Sequence, residues 1–192
     1  MRSGMAYLVD EVSRMCAVTS AELADYLTPA VIETALDRNR DDIYRAPMLP
    51  VEEYEGGSVV WRTHVSGYAN LEGGTVEFMV RDATGNLISP SLYSADYARG
   101  MVTFAANTGG TVYYLTGHTY DLDGAAADIW QDKMSRAAKF FDYSGDGHNI
   151  GKSKVFAQAQ AMAAYYGARR RMNLTGGLSR SDSMIGGGHD AD

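Results

Sequence analysis

The stretch from Asp142 to Lys154, D-Y-S-G-D-G-H-N-I-G-K-S-K, holds the residues whose types and spacing come nearest to a chemical motif. Its end, Gly151-Lys152-Ser153, matches the end of the phosphate-binding loop G-x-x-x-x-G-K-[ST], whose backbone amides and lysine hold phosphates. The first glycine of that loop would fall at position 146, where Asp146 would repel a phosphate. The residues before the stretch also predict a helix, whereas a phosphate loop follows a buried strand. The sequence therefore argues against a nucleotide site.

The same stretch begins like a calcium-binding EF-hand loop. Loop positions 1, 3, 5 and 6, counted from Asp142, carry Asp142, Ser144, Asp146 and Gly147. Position 12, which must supply a bidentate carboxylate, is Ser153, and the neighbouring Lys152 and Lys154 would repel a cation. A turn rich in Asp, Ser, Gly and Asn accounts for these residues without any ligand. The sequence favours a polar turn between two helices, with an incomplete ion site as the alternative.

Composition limits the class of protein. The chain has 192 residues, of which 45% are hydrophobic, enough for one domain with a core or one domain with a small insert. A net charge of −7 and a pI near 5.0 exclude a general nucleic-acid binder but allow a protein that surrounds DNA without gripping it. No apolar run approaches the ~20 residues of a membrane span, and the N-terminus does not resemble a signal peptide. We therefore expect no membrane partner.

Residues that commonly do chemistry are scattered along the chain. Cys16, the single cysteine, lies among apolar helical residues, which predicts a buried thiol and excludes an internal disulfide. The histidines lack the spacing of metal ligands; they are His64, His118, His148 and His189. We expect no catalytic residue, no cofactor and no metal. An enzyme that uses Lys152, Asp146 and His148 is an alternative.

Hydrophobic periodicity predicts the elements that position these residues. The first ~45 residues predict helices, because apolar residues recur at helical spacing. Thr19 and Glu22 form a capping box, and Thr28-Pro29 is a helix start. The run Asp37 to Asp42 is charged and predicted to be solvated. From about Val51 to Tyr120 the period changes to two, with Gly-rich turns, which predicts a small antiparallel sheet or barrel.

Tyrosines enrich the predicted sheet; they include Tyr93, Tyr97, Tyr113 and Tyr114. Cross-strand packing is the expected role of such residues. A face that recognises a carbohydrate or a protein partner is the alternative. Exposure of several of these rings in one shallow groove would favour that alternative.

Helical spacing returns at about Asp121. Apolar residues from Ala126 to Phe141 predict one helix, and a stripe from Val155 to Tyr166 predicts a second. The second helix ends in Arg169-Arg170-Arg171, cations that suit a helix C-terminus and could also bind an acidic partner. The residues from Met172 onward are rich in Gly, Ser and Asp, which predicts a flexible tail that a partner could order.

The fold class predicted from these elements is α+β. N-terminal helices and a C-terminal helix pair would form a helical bundle, with a small antiparallel β-sheet or barrel inserted between them and a flexible C-terminal tail. The predicted boundaries are 1–50 for the N-terminal helical part, 51–119 for the β insert, 120–171 for the helix pair and 172–192 for the tail.

Three segments in this order resemble the head–tail adaptor, or connector, proteins of tailed bacteriophages. They are Y-D-L-D-G-A-A-A-D-I-W (Tyr120 to Trp130), F-D-Y-S-G-D-G (Phe141 to Gly147) and the Lys/Ser-rich start of an Arg-tipped last helix. Two further segments are also similar to family segments. They are the helix T-P-A-V-I-E-T-A-L-D-R-N-R (Thr28 to Arg40) and the insert Y-S-A-D-Y-A-R-G-M-V-T-F (Tyr93 to Phe104). The large β insert departs from the all-helical members.

This resemblance implies a structural protein of the virion neck, made in the host cytoplasm and without enzymatic activity. Such adaptors form rings, commonly twelvefold, between the portal protein and a stopper or tail-completion protein, and genomic DNA passes through the ring without sequence-specific binding. Candidate partner-binding residues are Arg169, Arg170, Arg171, Lys152 and Lys154. A binding module whose aromatic sheet recognises a carbohydrate or protein is the alternative function.

Overall fold

The computed structural model describes residues 2–139, 143–145, 148–150 and 152–171. Within them the protein is α+β, as the sequence predicts. The five α-helices are α1 (Ala6–Met15), α2 (Ser20–Asp25), α3 (Pro29–Arg38), α4 (Leu122–Ala137) and α5 (Lys152–Arg169). The strands are β1 (Arg40–Pro50), β2 (Glu53–Glu55), β3 (Ser58–Val60), β4 (Thr63–Val65), β5 (Phe78–Arg81), β6 (Tyr93–Asp96), β7 (Met101–Phe104), β8 (Tyr113–Tyr120), β9 (Tyr143–Gly145) and β10 (His148–Ile150).

Helix starts follow the local signals in the sequence. The capping box of α2 is confirmed: the backbone N–H of Glu22 donates to Thr19 Oγ1 at 3.2 Å, and the N–H of Thr19 donates to Glu22 Oε2 at 2.8 Å. Helix α3 begins at Pro29, whose fixed φ suits the first helical position. The helices predicted after Asp121 and around Val155 to Tyr166 are also confirmed, as α4 and α5.

A curled six-stranded sheet, a half-barrel, fills the middle of the chain. Its strand order is β5-β8-β1-β4-β7-β6, and all neighbouring strands are antiparallel. Strand β1 pairs with β8 over most of its length and with β4 through Leu49 and Pro50. The hairpin of β2 and β3 forms a separate two-stranded sheet. Within the region predicted to have a period of two, β3 and β4 therefore belong to different sheets.

Strand β1 corrects the expectation that the first ~45 residues are helical. Helix α3 ends at Arg38, and the charged run continues into an extended strand. Residues from Arg40 to Ile43 pair in register with Tyr120 to Gly117 of β8. The cause is non-local: the backbone of this run pairs with a long strand, while most of its charged side chains stay exposed, as predicted. Residues 40–50, predicted as part of the N-terminal helical region, therefore lie in the sheet.

The polar turn expected between the last two helices contains a strand pair. In an antiparallel register, His148 to Ile150 of β10 pair with Gly145 to Tyr143 of β9. The two residues between them, Asp146-Gly147, form the dipeptide most typical of tight hairpins, a signal the sequence analysis did not use. Asp142, Asp146 and Gly151, central to the phosphate-loop and calcium-loop comparisons, lie outside the described residues, as does the predicted tail from residue 172.

Two hydrophobic cores hold the molecule together. One lies among the helices and includes Leu8, Val12, Ile32, Leu36, Ile129, Trp130, Ala159 and Ala163. The other lies inside the sheet and includes Ile43, Met48, Phe78, Val80, Val102 and Leu115. The first core combines side chains from α1 and α3 with side chains from α4 and α5, so the two ends of the chain fold against each other. The chain leaves this core at Asn39 and returns at Asp121, whose backbone N–H donates to Asn39 O at 2.9 Å.

Candidate partner-binding surface

Helices α4 and α5 form an antiparallel pair that carries the residues predicted to bind a partner. The C-terminal end of α5 lies beside the first turn of α4, where Arg169 Nε is 3.5 Å from Asp123 Oδ1. Next to it, the backbone N–H of Arg171 donates to Asp121 Oδ2 at 2.7 Å. The negative end of one helix dipole and its cations thus meet the positive end of the other and its carboxylates.

Arg170 reaches across to the end of α3. Its Nη2 donates to Asn39 Oδ1 at 2.6 Å, and its Nη1 lies 3.6 Å from Asp128 Oδ1. Asn39 is 3% exposed, and its Nδ2 donates to Ala35 O at 2.8 Å and to Asp128 Oδ2 at 2.9 Å. The arginine end of α5 is therefore bound within the molecule. Its guanidinium groups stay partly exposed, at 56% for Arg169 and 43% for Arg170.

Lys152 and Lys154 lie at the opposite end of α5, about 25 Å from the arginines at ~1.5 Å per residue. Lys154 is exposed, and the side chain of Lys152 lies outside the described residues. The five predicted residues therefore do not form one site. Each end of the helix presents its own cations, and a shared partner would have to extend along α5.

The outer face of α5 is a feature that the sequence analysis did not identify. The segment 155–168 contains no charged residue. Among residues 154–171 only Ala159 and Ala163 are fully buried. On the opposite side of the helix an exposed row of small residues consists of Ala157, Ala161, Ala164 and Ala168. Charged residues normally cover the solvent face of a helix, so an uncharged segment was an available signal.

A cleft of about 700 Å³ opens between α2, α4 and the N-terminal half of α5. Trp130, 7% exposed, lines it, and the indole N–H of Trp130 has no hydrogen-bond partner among the described residues. Tyr26 and Val155 add apolar surface, and Arg136 and Lys139 add positive charge. The guanidinium of Arg136 lies 3.7 Å from the Tyr26 ring centroid. The cleft thus combines an apolar lining with charged residues at its edge.

Lys133 and Glu22 line this cleft as an ion pair that is held by internal hydrogen bonds. Lys133 Nζ donates to Cys16 O at 2.9 Å, lies 3.0 Å from Glu22 Oε1 and stands 4.9 Å from the Trp130 ring centroid. Burial disfavours the charged form of Glu22, but hydrogen bonds from Thr19 N–H, Lys133 and the Tyr26 hydroxyl outweigh it and lower its pKa to about 2. Glu22 is therefore an ionised structural carboxylate that orients Lys133.

A buried carboxylate, Glu72, connects the sheet to the N-terminus. It is 1% exposed, accepts a hydrogen bond from the Tyr120 hydroxyl at 2.5 Å and lies 3.4 Å from Arg2 Nη1. Burial, followed by the hydrogen bond to Glu72, raises the pKa of Tyr120. These contacts give Glu72 a structural role.

Other candidate residues also take structural roles. Cys16 is buried, which confirms the predicted buried thiol, and burial raises the pKa of that thiol to about 12. His64 is fully buried, with Nε2 2.9 Å from Thr111 O. Tyr93, Tyr97 and Tyr113 are half-buried and pack against the sheet core, so they give no exposed stacking groove. No cluster suited to a metal occurs among the described residues.

Within the described part of the chain, no helix is long and apolar enough to cross a membrane. A comparison with protein-family models, curated proteins and solved structures finds no match. Functional conclusions therefore depend on the chain's own surfaces.

Proposed function

We propose that this protein is a ring-forming adaptor in the neck of a tailed phage, located between the portal and a stopper or tail-completion protein. In this proposal the helices act as one bundle, subunits associate side by side, and the ring, commonly twelvefold in the resembling family, forms part of the DNA channel. The protein has no enzymatic activity, and the virion is its site of action.

The observation that carries the proposal is the outer face of α5. The exposed side of α5 is uncharged over 155–168, so in an isolated subunit this helix leaves apolar surface in contact with water. Interface centres are depleted of charge, and small residues allow two helices to approach closely. The row Ala157, Ala161, Ala164 and Ala168 suits a neighbouring subunit's helix. A ring uses such a surface in every copy.

The charge of the chain supports the same function. A net charge of −7 gives an assembled ring a negative potential, which keeps DNA from adhering to the channel wall. Lys154 at one end of α5 and Arg171 at the other are exposed, and Arg169 and Arg170 stay partly exposed beside their internal partners, so both ends can meet acidic neighbours at the ring's surfaces. We propose that the portal meets the arginine end, close to the start of the tail.

The test is assembly with portal rings of the same virus, followed by electron microscopy and native mass measurement. A second ring beneath the portal is expected. Ala164→Glu should weaken ring assembly by about tenfold or more, because it would bury an unpaired charge between subunits. Ala30→Glu, at an exposed position in the first turn of α3, is the matched control and should assemble normally.

Truncation after Arg171 should preserve the fold and weaken portal binding. The adaptor proposal would be refuted if the protein does not bind the portal and if virions assemble normally without it. If the Ala164→Glu variant assembles as well as the unmodified protein, α5 is not the subunit interface. The adaptor proposal would then require a ring built through another surface.

A further inference from the structure

The cleft between α2, α4 and α5 has the properties of a binding site for an acidic peptide with apolar side chains. Its lining is mainly apolar, from Trp130, Tyr26 and Val155, and Val155 is 57% exposed there. Glu22 pairs with Lys133, and Asp25 lies 3.9 Å from Arg136, but Lys139 has no acidic partner among the described residues. The buried indole N–H of Trp130 has no hydrogen-bond partner among the described residues, and an unpaired buried donor is costly.

We propose that the occupant is a segment of the same chain, Asp182-Ser183-Met184-Ile185. Its adjacent apolar side chains, Met184 and Ile185, match the apolar lining. Asp182 matches the positive charge of Lys139, which lies just beyond the last turn of α4, since Arg136 Nη1 is already 3.9 Å from Asp25 Oδ2.

Chain length supports this choice of segment. Arg171 is fixed beside Asp121, and Trp130 and Arg136 lie about 14 and 22 Å farther along α4 at ~1.5 Å per residue. At ~3.3 Å per residue, Leu174 reaches about 10 Å from Arg171 and Leu178 reaches about 23 Å only when fully extended. Met184 reaches about 43 Å, which leaves slack for a turn. Among the apolar residues of the tail, Met184 and Ile185 are adjacent, reach the cleft and follow a carboxylate.

This docking would hold the tail against its own subunit before assembly. The segment would occupy the cleft at one end of the helix pair, whereas the portal is proposed to bind at the arginine end. The inference concerns the free protein, and it can fail without affecting the adaptor proposal.

The test uses the full-length chain with Ser183→Cys carrying a nitroxide spin label. The buried Cys16 thiol should not react, because its pKa is about 12. Docking should broaden the Trp130 indole signal and the backbone amide signals of Arg136 and Val155 in a ¹⁵N spectrum, relative to the reduced label. A Trp61→Phe variant assigns the indole signal. Amides of β6 and β7 should be unaffected.

Matched variants test the chemistry of the site. Met184→Ser with Ile185→Ser should abolish the broadening, whereas Leu174→Ser should leave it. Lys139→Glu should weaken docking about fivefold, the effect expected of a partly exposed charge pair. Arg99→Glu, an exposed charge reversal outside the cleft, is the control. Broadening that survives the Met184 and Ile185 changes would overturn the proposal.

A mixed sample identifies the copy that supplies the segment. Spin-labelled ¹⁴N protein is combined with unlabelled ¹⁵N protein at equal concentration, and no broadening is expected. Broadening in this sample would place the segment in a neighbouring copy and refute intramolecular docking. Absence of broadening in the spin-labelled ¹⁵N protein would also refute intramolecular docking. The cleft would then be a candidate site for a peptide of another protein.

Discussion

Arg170 Nη2 donates a 2.6 Å hydrogen bond to Asn39 Oδ1, which joins the end of the last helix to the end of the third. Asn39 is 3% exposed and also binds Ala35 O and Asp128 Oδ2 through Nδ2. One buried amide thus connects α3, α4 and α5 at the point where the chain enters the sheet. A buried polar side chain with all of these partners has a large effect on stability when it is removed.

Asn39→Ala should lower the free energy of unfolding by about 1–3 kcal/mol, because it leaves Ala35 O without this donor and separates Arg170 from α3. Urea denaturation followed by circular dichroism measures the change. Arg38→Ala, the neighbouring exposed residue, is the control and should change stability by less than about 0.5 kcal/mol. Equal effects of the two changes would show that the amide has no special role.

Gly124→Ala should destabilise the protein, although alanine favours a helix over glycine by about 1 kcal/mol. A Cβ at position 124 would collide with Asn39 Oδ1 and lie 2.9 Å from Asp121 Oδ2. We expect a loss of about 1–3 kcal/mol. Gly167→Ala is the matched control, because nothing lies within 4 Å of its added Cβ, and it should raise the free energy of unfolding of the monomer. A stabilising Gly124→Ala would contradict the close approach of α4 to Asn39.

Glu22→Gln should reduce stability at neutral pH by about 1–2 kcal/mol, because Lys133 loses its charged partner. The pKa of Glu22 is lowered from 4.5 to about 2 in the folded protein, so this stabilisation is complete above the unfolded value and is lost as the pH falls toward 2. The difference between the two proteins should therefore shrink from pH 5 to pH 2 in thermal melts. Glu52→Gln, at an exposed position, is the control; a constant difference would contradict the assignment.

Tyr120→Phe should lower the free energy of unfolding by about 1–3 kcal/mol, because it removes the hydroxyl that donates to the buried Glu72 carboxylate. Arg2 remains as a second partner at 3.4 Å, which limits the loss. Chemical denaturation is the measurement. Tyr44→Phe removes a hydroxyl from a side chain that is 83% exposed and should be neutral. A neutral Tyr120→Phe would show that Arg2 alone satisfies Glu72.

Local signals in the sequence predicted the elements that they directly determine. Thr19 with Glu22 and Thr28 with Pro29 predicted the starts of α2 and α3, and the alternating run up to Tyr120 predicted β8. Strand β1 was missed because its conformation depends on pairing with β8, whose residues are distant in sequence. A charged run gives no local sign of such a partner.

The candidate site was harder to predict than the fold. Lys133 binds the carbonyl of Cys16, and Trp130 and Tyr26 meet in one cleft, only because α4 packs on the N-terminal helices. No spacing in the sequence encodes that arrangement. The uncharged segment 155–168, by contrast, is visible in the sequence, although the stripe from Val155 to Tyr166 indicates only a helix and not a partner for its outer face.

The segment that forms the sheet lies between Asn39 and Asp121, and a hydrogen bond from the Asp121 N–H to Asn39 O joins its two ends. The chain departs at Arg40 and returns at Tyr120, residues that face each other in the register of β1 and β8. The sheet is joined to the helices a second time, where the Gly73 N–H donates to Gly4 O at 3.1 Å and the Tyr7 hydroxyl donates to Leu71 O at 2.5 Å. With two points of attachment the sheet keeps a fixed orientation on the helices, so any surface it presents to a partner moves together with α4 and α5.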